Sequence, residues 1–455
     1  MTPQTCSTRI PGSCAKERGS FLNISASSTW ETLGAFEIAN YPGQFLGYSG
    51  GATYGLDTLT LGWPGSGGPK LNDQIIGGSG SGDYFTGIFG LSPDPNNFTD
   101  VNNPRPSLLG SLKSQNTIPS HSYAYTAGAF YHERKPLAEL TLGGYDSNQF
   151  VSHNTSFPFS TDVSRRLLLN IRSITSSKDD KQLLPTTAFA FIDSTDPNIW
   201  LPLDACKKFE EAFNLIWNEP LQMYFFETSP NTTVKREEKT SITFTLSENS
   251  TSSSLVSLEF PFTAFELLAS PPLTRNGTTQ RYFPLKRGRN DTQYVLGRAF
   301  LQETYLVVDH ERSNFSIFQA AFPAPGTKQN LVPILPNLQE TIKAKSGLSK
   351  GAIAGISIAI LFVAVSCVGA LLWALRRRKQ RRLRDVHTEA FMKPELDGGE
   401  VKFSGHEADG RELNSFHGQY SELGESKGPA VKYEMEAEVI LPEMGAENKS
   451  VSDSK

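Results

Sequence analysis

Among the 455 residues, one stretch places reactive side chains where a fold could use them: Phe189-Ala-Phe-Ile-Asp-Ser-Thr-Asp-Pro-Asn-Ile-Trp-Leu-Pro202. A short apolar, strand-forming run ends on Asp193, so a strand delivers a carboxylate to a turn of Ser194, Thr195, Asp196 and Pro197. Trp200-Leu201-Pro202 then opens a second apolar piece. A carboxylate at that place is either a turn-capping side chain or a group that can exchange protons with a ligand.

Other chemical patterns fail on context. Gly47-Tyr-Ser-Gly-Gly51 fits the G-x-S-x-G pattern of serine hydrolases, but that motif needs a strand before it and a helix after it, and an alternating strand follows here. The histidines (121, 132, 153, 310, 387, 406 and 417) have no metal-ligand spacing, so no metal and no cofactor is expected. Gly65–Gly68 and Gly77–Gly82 lack the lysine and the following helix of a phosphate loop. The net charge of -4 is mild, which leaves no case for nucleic acid as a partner.

The surrounding elements are strands. With 29 Phe and 14 Tyr amid frequent Gly, Pro, Ser and Thr, the composition favours β structure broken by turns, and the length calls for more than one domain. Tyr54–Gly62 and Leu137–Gly144 alternate apolar and polar residues, as half-buried strands do, while Leu167–Ile174 and Ala188–Asp193 read as further strands. Pro106–Leu112 is a short helix candidate, and Leu203–Trp217 reads as an amphipathic helix carrying Phe209, Phe213, Leu215 and Ile216. Cys6 and Cys14 are close enough to close a small loop and are expected to pair, leaving Cys206 free.

From Gly351 to Leu375 the chain carries no charge, long enough as a helix to cross a hydrocarbon core of about 30 Å. Arg-Arg-Arg-Lys-Gln-Arg-Arg-Leu-Arg follows at 376–384, which puts the C-terminal flank in the cytoplasm. Glycosylation sequons at Asn23, Asn97, Asn154, Asn231, Asn249, Asn276, Asn290 and Asn314 all precede this span. A single-pass type I protein of the plasma membrane or a secretory-pathway membrane is therefore expected, its N-terminal domain extracellular or luminal and the lipid bilayer a partner. The first thirty residues contain no apolar signal core, and a missing N-terminus is the favoured explanation. Residues 385–455 hold 16 acidic and 7 basic side chains and few large apolar ones, the composition of a disordered tail whose partners are unknown.

Taken in order, several phrases resemble those of the pepsin-like aspartic peptidases: Ser28-Thr-Trp30, Gly55-Leu-Asp-Thr58, Gly87-Ile-Phe-Gly-Leu91, Leu140-Thr-Leu-Gly-Gly-Tyr-Asp146, Ile192-Asp-Ser194, Leu296-Gly-Arg-Ala-Phe-Leu301 and Val307-Val-Asp309. They cover about residues 15–320, and the overall look is similar to membrane-attached fungal members. The resemblance implies a mainly β, bilobal pepsin-like acid protease fold with an incomplete N-lobe, followed by one transmembrane helix and a disordered tail. The expected parts are an N-terminal β-lobe at 1–156, a C-terminal β-lobe at 157–322, a stalk at 323–349, the membrane helix at 350–376 and the tail at 377–455. Gly87–Gly90 and Tyr294–Gly297 would each be the apolar-apolar-Gly strand that threads a lobe's active-site loop.

The family's chemistry implies a peptide or protein substrate or ligand in the inter-lobe cleft, hydrolysed by two aspartates that hold one water. Asp193 matches the second of these, with Ser194 and Thr195 completing its loop. The first would lie roughly ten residues before Cys6, outside this chain. Asp57 and Asp146 match structural positions, and Phe45, Tyr48 and Tyr54 can each be aligned with the family's flap tyrosine. Thr195 stands where the family has glycine, and a β-branched residue is expected to crowd or re-aim the loop amides. The chain is therefore expected to be an inactive member of an endopeptidase family, or a non-catalytic pseudopeptidase that binds or senses at the cell surface.

Overall fold

The alternating runs form strands in the computed structural model, which describes residues 14–337, apart from 39, 64, 99–101, 228–238, 271–273 and 275–278, together with 367–378. The first part of the chain forms α1 (Cys14–Glu17), β1 (Glu31–Glu37), α2 (Tyr41–Phe45), β2 (Gly51–Thr60) and β3 (Lys70–Ser79). It continues with α3 (Leu108–Ser114), β4 (Ser122–Thr126), β5 (Glu139–Leu142), β6 (Gly144–Asp146), β7 (Phe150–Val151) and β8 (Phe157–Pro158). Next come β9 (Leu168–Ser176), β10 (Lys181–Gln182), β11 (Ala188–Ile192), β12 (Ile199–Pro202), α4 (Leu203–Phe213), β13 (Leu215–Asn218) and β14 (Met223–Phe226). Then follow β15 (Ser241–Ser247), β16 (Val256–Pro261), β17 (Leu267–Ala269), β18 (Gln280–Phe283), β19 (Leu285–Gly288) and β20 (Val295–Leu296). The last are α5 (Arg298–Leu301), β21 (Thr304–Asp309), β22 (Asn314–Ala320) and β23 (Leu331–Pro333).

An eight-stranded sheet runs β16-β15-β9-β11-β20-β12-β19, with β10 paired to β9. A six-stranded sheet runs β5-β4-β21-β22-β7, with β8 on β22, so strands from the two halves of the chain share one sheet. β1, β2 and β3 form an antiparallel meander. The abundant phenylalanines fill the core: Phe209, Phe213, Phe262, Phe265 and Phe283 are buried, with Phe265 and Phe283 stacked at a 5.1 Å centroid separation. Such ring pairs add to the free energy of burial itself.

Two expectations change at the level of elements. The helix from Leu203 ends at Phe213 instead of reaching Trp217, because Asn214 takes a left-handed conformation (φ 51°) and its N–H caps the Glu210 carbonyl. Asparagine tolerates that conformation better than most residues, and the chain leaves it as β13. The expected stalk begins docked: β23 pairs with β6, Asn330 N–H donates to Asp146 Oδ1 (3.0 Å), and Asn337 N–H donates to Glu311 Oε2 (2.9 Å).

The chain divides into two units, Met1–Ala354 and Gly355–Lys455. In the second, residues 367–378 form a helix with exposed side chains, and Cys367 on it is a free thiol. Among the described residues no helix is long and apolar enough to cross a membrane. Most of the span expected at 350–376 and nearly all of the tail lie outside the described residues, as does the expected Cys6–Cys14 bridge. Cys206 is free, buried in α4, where its thiol donates to the carbonyl of Lys286 (3.4 Å).

Candidate active site

β11 carries Phe191 and Ile192 into the core and stops at Asp193, whose side chain is 9 % exposed. The two-residue strand β20 lies between β11, to which it is parallel, and β12, to which it is antiparallel. The Asp193 loop therefore leaves one neighbour of β20 and returns along the other. Asp193 N–H donates to Leu296 O (3.3 Å), which ties the carboxylate's own backbone to the threaded strand. Beyond β20, Arg298 N–H donates to Asp196 O (2.7 Å) and Ala299 N–H to Pro197 O (3.1 Å), so the start of α5 holds the far side of the loop.

Gly297 is what allows this approach. A Cβ there would stand 2.1 Å from Asn198 O and 2.5 Å from Asp196 O, so no larger residue fits. The corresponding Gly87–Gly90 segment does not behave as expected. It forms no strand, Ile88 and Phe89 are exposed, and a Cβ on Gly87 or Gly90 would meet nothing within 4 Å. Among the described residues no pair of strands flanks it, so nothing is threaded.

Within the loop, Thr195 N–H donates to Asp193 Oδ1 (2.8 Å), and the Thr195 hydroxyl lies 2.8 and 2.9 Å from Asp193 Oδ1 and Oδ2. The expected crowding by a β-branched residue is absent: Thr195 has no left-handed φ, and its amide still reaches the carboxylate. Burial pushes the Asp193 carboxyl above its usual range; the Thr195 amide and hydroxyl pull it back, and the nearby Asp196 raises it further. Ser194 is exposed.

Asp196 is the residue that sequence reasoning missed. Its place before Pro197 marks it as an ordinary turn aspartate, yet it is fully buried. Asn198 N–H donates to its Oδ1 (2.6 Å), and the Tyr48 hydroxyl donates to its Oδ2 (2.6 Å). Burial raises its carboxyl too, against the Tyr48 and Asn198 hydrogen bonds, the neighbouring Trp200 indole and the Lys286 charge. The Trp200 N–H itself is buried without a well-formed hydrogen bond. The signal was two acids three apart in a turn between apolar runs, which a solvated loop shows equally well.

Residues 40–50, which comprise α2 with its N-cap and the turn leading to β2, close over this loop. Leu46 is buried against Phe191 and Val295. Asn40 Nδ2 lies 3.4 Å from the Thr195 hydroxyl, and Gln293 Nε2 donates to Phe45 O (2.7 Å). Of the three aromatic residues alignable with a flap tyrosine, it is Tyr48 whose hydroxyl reaches the loop. Asp57 is occupied elsewhere by the hydroxyls of Ser27 (2.8 Å) and Thr29 and by Thr58 N–H (2.7 Å). Asp146 accepts from Asn148 and Asn330 N–H, both at 3.0 Å. Neither bonds to the Asp193 loop.

A buried carboxyl held above its usual range, on a loop threaded by an apolar-apolar-Gly strand, is a candidate acid/base site in a mainly β scaffold. The family model described as eukaryotic aspartyl protease matches residues 11–320, and the chain belongs to this family. Among solved structures, the aspartic proteinase from Irpex lacteus is similar over 68 % of this chain and 89 % of its own, at 18 % identity and a TM-score of 0.44. No curated protein matches. Of the sequon asparagines, Asn23, Asn97, Asn154 and Asn290 are exposed and Asn249 and Asn314 half-buried, while Asn231 and Asn276 lie outside the described residues.

Proposed function

We propose that the chain is a membrane-anchored member of the aspartic-type endopeptidases in which Asp193 is the one active-site carboxylate these 455 residues supply. The observation that carries this reading is the threaded loop that buries Asp193 and hands its oxygens to Thr195. Peptide hydrolysis of this kind needs two carboxylates sharing a proton around one water. Asp196 is not that second group, because it stands on the same loop with its oxygens taken by Tyr48 and Asn198. Asp57, on β2, is held by Ser27, Thr29 and Thr58, and Asp146 by Asn148 and Asn330. The chain by itself is thus expected to bind peptide without hydrolysing it. The test is peptide hydrolysis by the full chain between pH 3 and 6, with and without a statine-containing peptide, and no statine-sensitive turnover is expected.

A second reading, a non-catalytic protein that binds or senses ligands at the cell surface, is favoured by the way residues 40–50 sit on the Asp193 loop. Both readings share the membrane anchor, for which the apolar run 351–375, the basic run 376–384 and the sequons upstream speak. Expressed in a secretory cell, the chain should stay in the membrane pellet through alkaline carbonate extraction and gain mobility on endoglycosidase digestion. Release by carbonate with no mobility change would remove the anchor and the luminal placement together.

A further inference from the structure

The second buried acid of the loop has no part in the chemistry above. Asp196 is wholly buried, and its two oxygens face different ways. Oδ1 takes Asn198 N–H inside the loop, while Oδ2 takes the hydroxyl of Tyr48, 148 residues away in the chain. Tyr48 ends a short run whose backbone is tied to itself: Tyr48 N–H and Leu46 N–H both donate to Gly43 O (2.9 and 3.0 Å), and Gly47 N–H donates to Gln44 O (3.0 Å). The run is therefore folded on itself, with Gly47 inside it and Gly50 just beyond it at positive φ of 85° and 153°.

Further contacts hold its underside. Leu46 fills an apolar socket of Phe191 and Val295, with Leu168 and Trp200 at its edge. Asn40 reaches both the Thr195 hydroxyl and the Tyr84 hydroxyl (3.3 Å), and Phe45 packs near the Arg165 guanidinium, 5.6 Å from its ring centroid. Gln293 Nε2 also donates to Phe45 O (2.7 Å), while the other contacts are apolar, long or peripheral. The Tyr48–Asp196 bond is short, partly buried and accepted by a carboxyl oxygen, which makes it the strongest single polar tie between this run and the Asp193 loop beneath.

We propose that Asp196 is a positioning residue: through the Tyr48 hydroxyl it latches residues 40–48 over Asp193, and a ligand reaches Asp193 only when that bond opens. The proposal concerns the site of the reading above and rests on Asp193 being the group a ligand must meet, but its readout needs no catalysis. Opening breaks the Tyr48–Asp196 bond and with it the Asn40–Thr195 and Gln293–Phe45 bonds, and lifts Leu46 from its socket, with no covalent step. A single turn without that support does not hold its own hydrogen bonds, so its amides exchange.

The test is amide hydrogen exchange on the full chain, comparing the unsubstituted protein with Tyr48→Phe and Asp196→Asn. Tyr48→Phe deletes the donor. Asp196→Asn keeps an oxygen for Asn198 N–H while turning the other acceptor into an amide nitrogen. Exchange at Leu46, Gly47 and Tyr48 should accelerate about tenfold or more in both variants, with the β21–β22 amides unchanged as a control on folding. Carbodiimide-driven coupling of glycinamide to Asp193, followed by mass spectrometry, should rise in parallel. Exchange at residues 46–48 within twofold of the unsubstituted protein in Tyr48→Phe would overturn the latch. Acceleration in Tyr48→Phe but not in Asp196→Asn would overturn the role given to Asp196. Should Asp196→Asn lose the β21–β22 control, Tyr48→Phe alone decides. Failure of hydrolysis or of statine binding leaves these outcomes untouched.

Discussion

Three ionisable side chains shifted by burial bear on how this protein responds to acid. Asp193 and Asp196 are both raised above the ordinary carboxyl range, first by burial. A group whose folded value is raised contributes stability that is fully present below its unfolded value of about 4, and loses it as pH climbs through the folded one. His310 pulls the other way. It is packed between the rings of Tyr123 and Phe159, neither ring nitrogen has a well-formed hydrogen bond, and burial, followed by the Arg166 charge, lowers it to about 4. Its contribution is intact above the unfolded value of about 6.5 and is lost as pH falls toward 4. His310→Phe should therefore flatten the fall in unfolding free energy between pH 7.5 and 4.5 by about 2–3 kcal/mol, read from denaturant melts at the two pH values. An unchanged slope would show that His310 is not held neutral. None of the three environments was legible in the chain. Asp193 could be found because a strand ended on it, whereas burial of Asp196 and His310 depends on Tyr48, Tyr123 and Phe159, which are remote in sequence.

At the scale of elements, Gly297 and Gly90 make a controlled pair. Both follow an apolar pair, in Val295-Leu296-Gly297 and Ile88-Phe89-Gly90, and the family resemblance assigned both the same task. Only Gly297 touches a loop, so Gly297→Ala should cost about 3 kcal/mol or more by forcing Asn198 and Asp196 carbonyls apart, while Gly90→Ala should stay within about 0.5 kcal/mol. Denaturant midpoints of the two variants check this, and equal shifts would contradict the threading. The contrast also shows what local pattern can carry. Alternation marked β2 and β5, and the apolar runs at 167–174 and 188–193 marked β9 and β11. It could not say that residues 87–90 lack flanking strands, since that depends on what pairs with them. Nor could it stop α4 at Phe213, where a left-handed Asn214 outweighed the apolar periodicity of Leu215 and Ile216.

For the molecule as a whole, the six-stranded sheet is the feature that the domain reading did not contain. β21 and β22 come from the end of the 157–322 region, yet β21 pairs with β4 and β22 with β7, both from the first 156 residues. The docked 323–337 segment adds β23 to β6 in the same first region. Long-range strand pairing of this kind leaves no local trace in a sequence, although the family resemblance spanned the right residues. The two halves thus share a sheet, and the Asp193 loop of one is covered by residues 40–50 of the other. The measurement that bears most directly on the one-carboxylate account compares peptide hydrolysis by the full chain with that of its Asp193→Asn variant between pH 3 and 6. The account predicts that the two traces superimpose at background. A statine-sensitive rate in the unsubstituted chain, abolished by Asp193→Asn, would contradict it.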